Sequence, residues 1–512
     1  MKNEIELKLL IAPEEVRRFL RHPLIKALTR QKLPPQRLLS IYYDTPHCTL
    51  HQQRIALRLR RSGRRWIQTV KTEGSVTAGL HERPEWECDT TKDTLVFDAL
   101  PDPVIREFFA DEQLQQALQP LFVTQFARTR RMLELLSGDI VECSIDRGEI
   151  RAGDDRLPIC EVEFELKSGE PLRLFEFALS LQETLPLKLE NVSKAERGYQ
   201  LVTHTALIPV KAKTPELEKS LSVRDTFVRI LQSCMTHLQA NEEGVVRGDD
   251  PEFVHQMRVA LRRARSAVRV FSSILSSEKT EVIREELQWL ANALNGARNW
   301  DVFVLTTLPP ILTAFPDHQG LAWLHSHSAT IREHANAQAR DAVIAPRYQR
   351  FLLTLGAWVC ILTKPEPIPI EAAESGETDL TRFTIAILQK RHRQLKKRGK
   401  HVTALSPAER HAVRIAAKKL RYAAEFFSSL YLDKRTRRYI GALAALQDVL
   451  GAFNDSATTI TLLQEITSKE DMATHQHPEG IVLGWVQGAN HARLAELAQT
   501  WEAFVERKPF WE

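Results

Sequence analysis

The sequence predicts an α+β chain in two parts, an antiparallel sheet module followed by an all-α module that is internally duplicated. Three observations carry this. Residues 1 to about 205 contain short segments in which apolar and charged side chains alternate, separated by turn signals, the pattern of antiparallel strands. Beyond about residue 215 the texture changes to long helical periodicities rich in Ala, Leu, Arg and Glu. And the second part repeats itself: His255-x-x-Arg258-x-x-x-Arg262-Arg263-x-Arg265 recurs as His411-x-x-Arg414-x-x-x-Lys418-Lys419-x-Arg421, every position displaced by 156 residues. Leu290 and Leu294 answer Leu446 and Leu450 at the same offset.

These features set the boundaries: a sheet module over 1–205, a linker over 206–217 that contains Pro209 and Pro215, and a helical module over 218–512. A cluster of prolines at 365, 367 and 369, followed by acidic and small residues, divides that module into halves of about 218–364 and 380–512. The 512 residues exceed what one core usually organises, and a composition 43% hydrophobic and 26% charged is ordinary globular material. The six cysteines are scattered without a CxxC pair, which excludes a zinc ribbon or disulfide scaffold and reads as reduced thiols. An acidic residue at position 4 stands where an export signal needs an apolar stretch, and the longest apolar run, Phe351 to Thr363, is too short to span a bilayer. The expectation is a cytoplasmic protein with no membrane partner. Net charge is uneven: residues 1–200 carry 30 Lys/Arg against 31 Asp/Glu, and the remainder 40 against 34.

In the first strand Glu4, Glu6 and Lys8 alternate with Ile5, Leu7 and Leu9, so one face is charged and the other aliphatic. The same layout returns as Arg58 and Arg60 against Leu57 and Leu59, as Glu142 and Asp146 against Val141, Cys143 and Ile145, and as Glu161, Glu163 and Glu165 against Val162, Phe164 and Leu166. Arg83, Glu85 and Glu87 share one face. A half-exposed sheet with its charged face in water would explain any one of these strands. It does not explain their number, nor the sorting of sign between the acidic pairs and the basic Arg58, Arg60, Lys71, Arg128 and Arg130. Clustered carboxylates call for a hard cation such as Mg²⁺ or Mn²⁺, and clustered guanidinium and ammonium groups call for phosphates. A closed sheet with a charged lumen would gather both sets around one elongated, metal-bound phosphate ligand.

These residues resemble the CYTH, or triphosphate tunnel metalloenzyme, superfamily. Glu4-Ile-Glu6-Leu-Lys8 is similar to its ExExK signature, and matches follow in order: Arg58-x-Arg60, Lys71, Arg83 with Glu85, Arg128 with Arg130, Asp146, Glu161-Val-Glu163, and Ser193-Lys194-Ala-x-Arg197-Gly198-Tyr199. The resemblance implies an eight-stranded antiparallel tunnel that binds a triphosphate with a divalent metal. It implies that Glu4, Glu6, Asp146, Glu161 and Glu163 hold the metal. Lys8, Arg58, Arg60, Lys71, Arg83, Arg128, Arg130 and Lys194 would grip phosphate, with Glu4, Glu6, Lys8 and Lys71 at the catalytic centre. Glu165 continues the acidic face and could replace one of the chosen pair. Gly74 and Gly79 have P-loop spacing, but Leu80-His81 replaces the required Lys-Ser/Thr, so they read as a hairpin turn.

On a helical wheel His255, Arg258, Arg262, Arg265 and Arg269 share one arc beside the apolar Met257, Leu261, Ala264 and Val268, and the second copy repeats the geometry. Solvated faces normally mix signs, yet residues 255–269 carry five arginines and no acid, and 390–421 carry twelve Lys/Arg and only Glu409. Like charges packed so densely call for a bound anion. Nucleic acid is disfavoured, because neither stripe interleaves aromatics for base stacking. The repeat resembles the CHAD domain, as do Arg298-Asn299-Trp300-Asp301-Val302, Leu450-Gly451-x-x-Asn454-Asp455 and Pro509-Phe510-Trp511, with departures at Asn295-Gly296 and Asn299. That resemblance implies two four-helix bundles and an inorganic polyphosphate-binding channel. The ligands would be His255, Arg258, Arg262, Arg263, Arg265, His411, Arg414, Lys418, Lys419 and Arg421, the two histidines hydrogen-bonding phosphate or packing rather than holding metal. His325 with His327, and His475 with His477, read as loop or surface histidines.

The functional expectation is metal-dependent hydrolysis of the terminal phosphate of inorganic triphosphate, with polyphosphate held by the helical module. The alternatives are a thiamine or nucleoside triphosphatase or an adenylate cyclase of the same tunnel fold, or a non-catalytic polyphosphate-binding protein.

Overall fold

The computed structural model describes residues 2–90, 93–364, 379–431, 434–468 and 477–512. The proline cluster expected to divide the helical module, and His475, lie outside the described residues. The chain forms two compact units, one of residues 1–207 with 345–361 and one of residues 208–344 with 362–512.

The first unit is built on ten strands: β1 (Lys2–Leu10), β2 (Thr29–Asp44), β3 (Ala56–Ser62), β4 (Arg65–Lys71), β5 (Ser75–Thr77), β6 (Leu80–Thr90), β7 (Gln119–Glu134), β8 (Ile140–Ala152), β9 (Asp155–Ser168) and β10 (Lys188–Leu189). Eight of them close a ring in the order β1-β9-β8-β7-β2-β3-β4-β6, all antiparallel, because β1 pairs with β9 on one side and with β6 on the other. The short β5 and β10 flank β6 and β1. Closure decides the fate of the alternating faces. Leu7, Leu9, Leu57, Leu59, Val141, Val162 and Phe164 point outward and are nonetheless buried. Helices cover them: the helix Pro171–Gln182 buries Leu172, Leu174, Phe175, Phe177, Ala178 and Leu181, with Phe177 edge-on to Phe164 at 5.1 Å. The charged faces turn into the lumen, so the half-exposed sheet is excluded. Around Leu7, Leu57, Val162 and Asp146 both faces of the sheet are buried, one in an apolar coat and one in a charged interior.

Two glycines matter to this construction. The β5–β6 hairpin turns at Ala78-Gly79, both with positive φ (49° and 77°), the backbone a two-residue turn demands. A Cβ on Gly198 would lie 2.1 Å from the Phe122 ring, so only glycine lets the helix Lys194–Thr203 seat against the barrel. That helix is capped by Ser193, which accepts from the Glu196 amide, and Tyr199 donates to the buried Asp44 at 3.0 Å.

The apolar run noted in the sequence forms the helix Pro346–Leu362. Its residues 345–361 group with the barrel, although sequence order puts them in the helical module. The reason is its apolarity: Tyr348, Phe351, Leu352, Leu355 and Trp358 are all buried, and only its start exposes charge, at Arg347 and Arg350. Gln349 accepts from the Leu189 amide at 3.0 Å, and Gly356 lets the Phe175 ring approach.

The second unit has a first set of helices, Val223–Gln239, Glu252–Val270, Ser277–Ala293, Asn295–Val302 and Gln319–Ile344, and a second set, Leu380–Arg398, Pro407–Phe427, Lys434–Thr467 and Pro478–Val505. The third helix is broken at Leu294 in the first set and continuous in the second, at the place where Asn295-Gly296 departs from the expected pattern. Leu290, Leu294, Leu446 and Leu450 are all buried as the repeat requires. Trp300, Phe303 and Leu308 of the first set share a core with Leu462, Leu463 and Val482 of the second. The segment expected to be a linker is tied down, Val210 donating to Asn241 Oδ1 (3.0 Å) and Leu217 to Ser429 Oγ (3.1 Å). Near the other end Trp511 donates to Gln389 Oε1 at 3.0 Å and packs on Tyr439. His325 and His327 sit half-buried on a helix, His327 stacked on Trp323, and not in a loop. Among the described residues no helix is long and apolar enough to cross a membrane, and all six cysteines are free thiols.

Candidate functional site

Strand register builds the lumen. Lys8 pairs with Glu163, Glu163 with Ser144, Glu161 with Asp146, and Asp146 with Arg128, so β1, β9, β8 and β7 bring their charges to one level. From the other side Glu4 pairs with Arg83, Lys71 with Glu85, and Arg58 with Tyr42.

Asp146, Glu161 and Glu163 form one acidic group, each offering an oxygen within 4.8 Å of the others, and the first two are fully buried. Lys194 enters from the helix that starts there, its Nζ 2.7 Å from Asp146 and 2.9 Å from Glu163, and also paired with Glu161. Arg128 forks onto both Asp146 oxygens at 2.7 Å and reaches Glu163 at 2.5 Å, while Arg197 pairs with Glu161. Burial alone would raise the Glu163 carboxyl, but Lys194, Lys8 and Arg128 hold it well below the usual carboxylate range. Asp146 is likewise held low against its burial by Arg128 and Lys194. An ammonium already sits among three oxygen-only donors, so the group is built to hold positive charge and fits a hard divalent ion.

Glu4 and Glu6 stand beside this group rather than in it. Glu6 pairs with Lys8 at 2.7 Å, and Lys8 also pairs with Glu163, bridging the two sets. Burial pushes the Glu6 carboxyl up, with Glu163 and Glu4 adding to the rise that Lys8 opposes. Glu4 pairs with Lys71 at 2.5 Å, and Lys71 reaches Glu85 at 3.3 Å, which Arg58 also contacts at 3.2 Å. Glu165 lies further along the lumen, paired with Lys167 at 2.5 Å, and is not in the acidic group.

Arg60 differs from its neighbours. Its Nε donates to Ser40 Oγ at 3.2 Å, and no carboxylate pairs with it among the described residues. Burial, then Arg58 and Arg128, bring its guanidinium down to about 10. Arg83 also lacks an ion pair among the described residues and keeps a buried Nε without a partner; Arg130 reaches Glu142 only at 3.5 Å. Two cavities open here. An inner one of about 80 Å³ is lined by Glu6, Lys8, Lys71, Arg83, Glu163 and Lys194, and an outer one of about 540 Å³ by Glu85, Glu87, Arg130, Glu142 and Glu165; Glu4, Arg58, Arg60 and Arg128 line both. The lumen thus sets a buried carboxylate group beside two guanidinium groups, Arg60 and Arg83, that no carboxylate pairs with among the described residues. Two lumen residues lie outside the predicted set: Arg197, which belongs to a quoted motif, and His81, which stands where a P-loop would carry its Ser/Thr and shares the face of Arg83 and Glu85.

The second unit holds a cavity of about 1400 Å³ lined by His255, Arg258, Arg262, Arg263, Arg298, Arg414, Lys418 and Arg421, so residues from both copies of the repeat face one space. Glu425 neutralises two of these cations, Arg263 at 2.9 Å and Arg421 at 2.6 Å. Arg263 also stacks over Phe426, which makes it a packing residue. Among the described residues Arg258 (to Asn295 Oδ1, 2.6 Å) and Arg262 (to the Tyr422 hydroxyl, 3.2 Å) hydrogen-bond only neutral partners, and Arg258 and Arg414 keep buried Nε atoms without one. Burial and then Arg414 and Arg262 bring Lys418 down to about 7; burial and then Arg298 bring His255 to about 3. Arg298 is a cation missing from the predicted set, fixed by its neighbours: Trp300 enters the core and buried Asp301 pairs with Arg332 at 2.7 Å.

Arg265, His411 and Lys419 do not line this cavity. His411 is exposed, and Arg265 and Lys419 instead sense Arg269, Lys419 also Arg398 and Arg391, as a separate cationic cluster.

Comparison with known proteins agrees with both units. Residues 2–199 match the CYTH domain and residues 229–464 the CHAD domain. An inorganic triphosphatase of Haemophilus influenzae is 38% identical over 205 residues, 39% of this chain and 55% of that protein, so the chain matches about half the length of that curated relative. The crystal structure of the CHAD domain from the plant Ricinus communis superposes with a TM-score of 0.51 at 33% identity, covering 59% of this chain and 98% of that one. A closed eight-stranded barrel with a charged interior, followed by duplicated helices facing a basic cavity, therefore has its place among known proteins: the chain belongs to the CYTH and CHAD families, carrying one domain of each.

Proposed function

We propose that the barrel hydrolyses the terminal phosphate of inorganic triphosphate with a divalent ion, and that the basic cavity of the helical unit binds inorganic polyphosphate. The observation that carries the first part is a buried oxygen-donor group in one lumen with two guanidinium groups, Arg60 and Arg83, that pair with no carboxylate among the described residues. Asp146, Glu161 and Glu163 would hold Mg²⁺ or Mn²⁺, with Glu4 and Glu6 completing the acidic set. When bound, such an ion would neutralise and polarise the phosphate oxygens. Arg58, Arg60, Arg83, Arg128 and Arg130 bind the equatorial oxygens and stabilise charge as the phosphoryl group transfers, while Lys71 holds Glu4 ionised and Lys8 fixes Glu6 in place. The catalysis is positioning and electrostatics, and no covalent nucleophile is required. The relative's triphosphatase activity supports this substrate class.

Polyphosphate binding rests on five cations, Arg258, Arg262, Arg298, Arg414 and Lys418, whose charge within the cavity is met only in part by Asp455, which interacts with Arg414, Arg298 and Lys418. One assay series tests both parts: phosphate release from tripolyphosphate, ATP, thiamine triphosphate and long-chain polyphosphate with Mg²⁺ or Mn²⁺, for wild type and Glu4→Ala/Glu6→Ala, beside polyphosphate binding by wild type and Arg262→Glu/Lys418→Glu. Tripolyphosphate should turn over fastest and only in wild type. Absence of turnover with retained polyphosphate binding would leave a binding protein.

A further inference from the structure

His81 is a buried lumen residue, 2% exposed, on β6 opposite Glu6 of β1, and it lines the inner cavity. Its Nε2 lies 3.1 Å from the carbonyl oxygen of Glu190. A carbonyl only accepts, so Nε2 carries the hydrogen and donates. The remaining nitrogen, Nδ1, is buried and has no hydrogen-bond partner among the described residues. Burial and the nearby Lys8 keep the ring neutral, with a pKa of about 3. In a neutral ring with Nε2 protonated, Nδ1 is a lone pair. A buried acceptor left unmatched costs about 1–3 kcal/mol, so its persistence needs a reason.

The surroundings supply one. Each carboxylate of the inner cavity carries an ion pair that fixes it in place, Glu4 with Lys71, Glu6 with Lys8, and Glu163 with Lys8, Arg128 and Lys194. Its cations can only donate. Yet hydrolysis of a phosphoanhydride needs a water whose hydrogen is held by an acceptor while its own lone pair faces phosphorus. We propose that His81 Nδ1 accepts a hydrogen bond from the attacking water and so aims that water at the terminal phosphorus. This rests on the triphosphatase reading above. In the step, a bond forms between the water oxygen and the terminal phosphorus while the bond from that phosphorus to its bridging oxygen breaks, the electron pair leaving with diphosphate. The water's proton ends on a product phosphate oxygen, because so weakly basic a ring does not keep it.

Two variants separate this role from a packing role. His81→Asn keeps an acceptor where Nδ1 stands and loses the bond to Glu190. His81→Gln keeps a donor toward Glu190 and loses the acceptor. With tripolyphosphate and Mg²⁺ or Mn²⁺, His81→Asn should retain kcat within about threefold. His81→Gln should lose about tenfold to a hundredfold in kcat with KM changed less than about threefold, the cost of a misplaced reactant. Thermal unfolding and tripolyphosphate binding without divalent ion verify that each variant is folded. The reverse order, equal loss in both, or no loss in either would overturn the proposal. Failure of wild type to hydrolyse tripolyphosphate would instead overturn the triphosphatase reading and this inference with it, so the two failures look different.

Discussion

Arg60 gives a test in which stability and binding should move in opposite directions. Its guanidinium is brought down to about 10 by burial, then by Arg58 and Arg128. At about 1.4 kcal/mol per pKa unit, that depression corresponds to about 3 kcal/mol by which the folded, ligand-free protein is destabilised. The sign follows from linkage: a base whose folded pKa is depressed binds its proton less well folded than unfolded, so the cost is present throughout the range below the folded value, neutral pH included. Arg60→Met removes the cost and forfeits the hydrogen bond to Ser40, worth about 1 kcal/mol, leaving a net gain of about 2 kcal/mol. For a unit of this size that raises the unfolding temperature by roughly 4–8 °C. Tripolyphosphate without divalent ions should stabilise wild type, by about 2.7 kcal/mol at a hundredfold excess over Kd, and stabilise the variant far less. Differential scanning calorimetry of the full chain, with the barrel's transition identified as the one tripolyphosphate shifts in wild type, reads both effects. A ligand-free variant that melts below wild type would refute the reasoning, because it would show Arg60 to be internally compensated.

Three further outcomes are expected. Lys194→Met strips the ammonium from Asp146, Glu161 and Glu163 and should cost about 3–5 kcal/mol without divalent ions, with Mg²⁺ restoring part of it; melting curves with and without Mg²⁺ decide, and a deficit that Mg²⁺ leaves untouched would count against a cation site there. Lys418, at about 7 in the free protein, is largely deprotonated at pH 8, so binding of long-chain polyphosphate should be accompanied by uptake of a proton onto Lys418. Calorimetric titration in buffers of different ionisation enthalpy measures that uptake, which Lys418→Arg should abolish while still binding. Gly198→Ala drives a Cβ to within 2.1 Å of the Phe122 ring and should destabilise the barrel by about 1–3 kcal/mol; an unchanged melting temperature would mean that the helix Lys194–Thr203 is not held by this contact.

The barrel was legible because strand geometry has a period of two and a sign. Once Glu4, Glu6 and Lys8 share a face, every strand that repeats the arrangement votes for a common charged interior. Partners were not legible. That Lys194 sits on Asp146 and Arg197 on Glu161, or that His81 spends one nitrogen on Glu190, follows from register and from a helix entry point, which no local pattern encodes. The helix Pro346–Leu362 shows the converse. Its apolarity was plain in sequence, but apolarity says that a helix is covered and not which unit covers it.

The helical wheel failed in a more instructive way, since it keeps angle and discards length. His255 and Arg269 fall within one arc, yet fourteen residues of helix separate them by about 21 Å along the axis. His255, Arg258 and Arg262 therefore line the cavity, while Arg265 and Arg269 lie beyond it with Lys419 and Arg391. Adjacent pairs divide for the opposite reason. Consecutive helical residues diverge by about 100°, so Lys418 faces the cavity and Lys419 turns away from it. Arg263 shows what even a correct angle omits. It borders the cavity but is neutralised by Glu425, 162 residues along the chain, and stacked on Phe426, so its charge is already answered. Counting cations on a stripe overstates an anion site by every such residue, and what binds the anion is the remainder that folding leaves without a carboxylate.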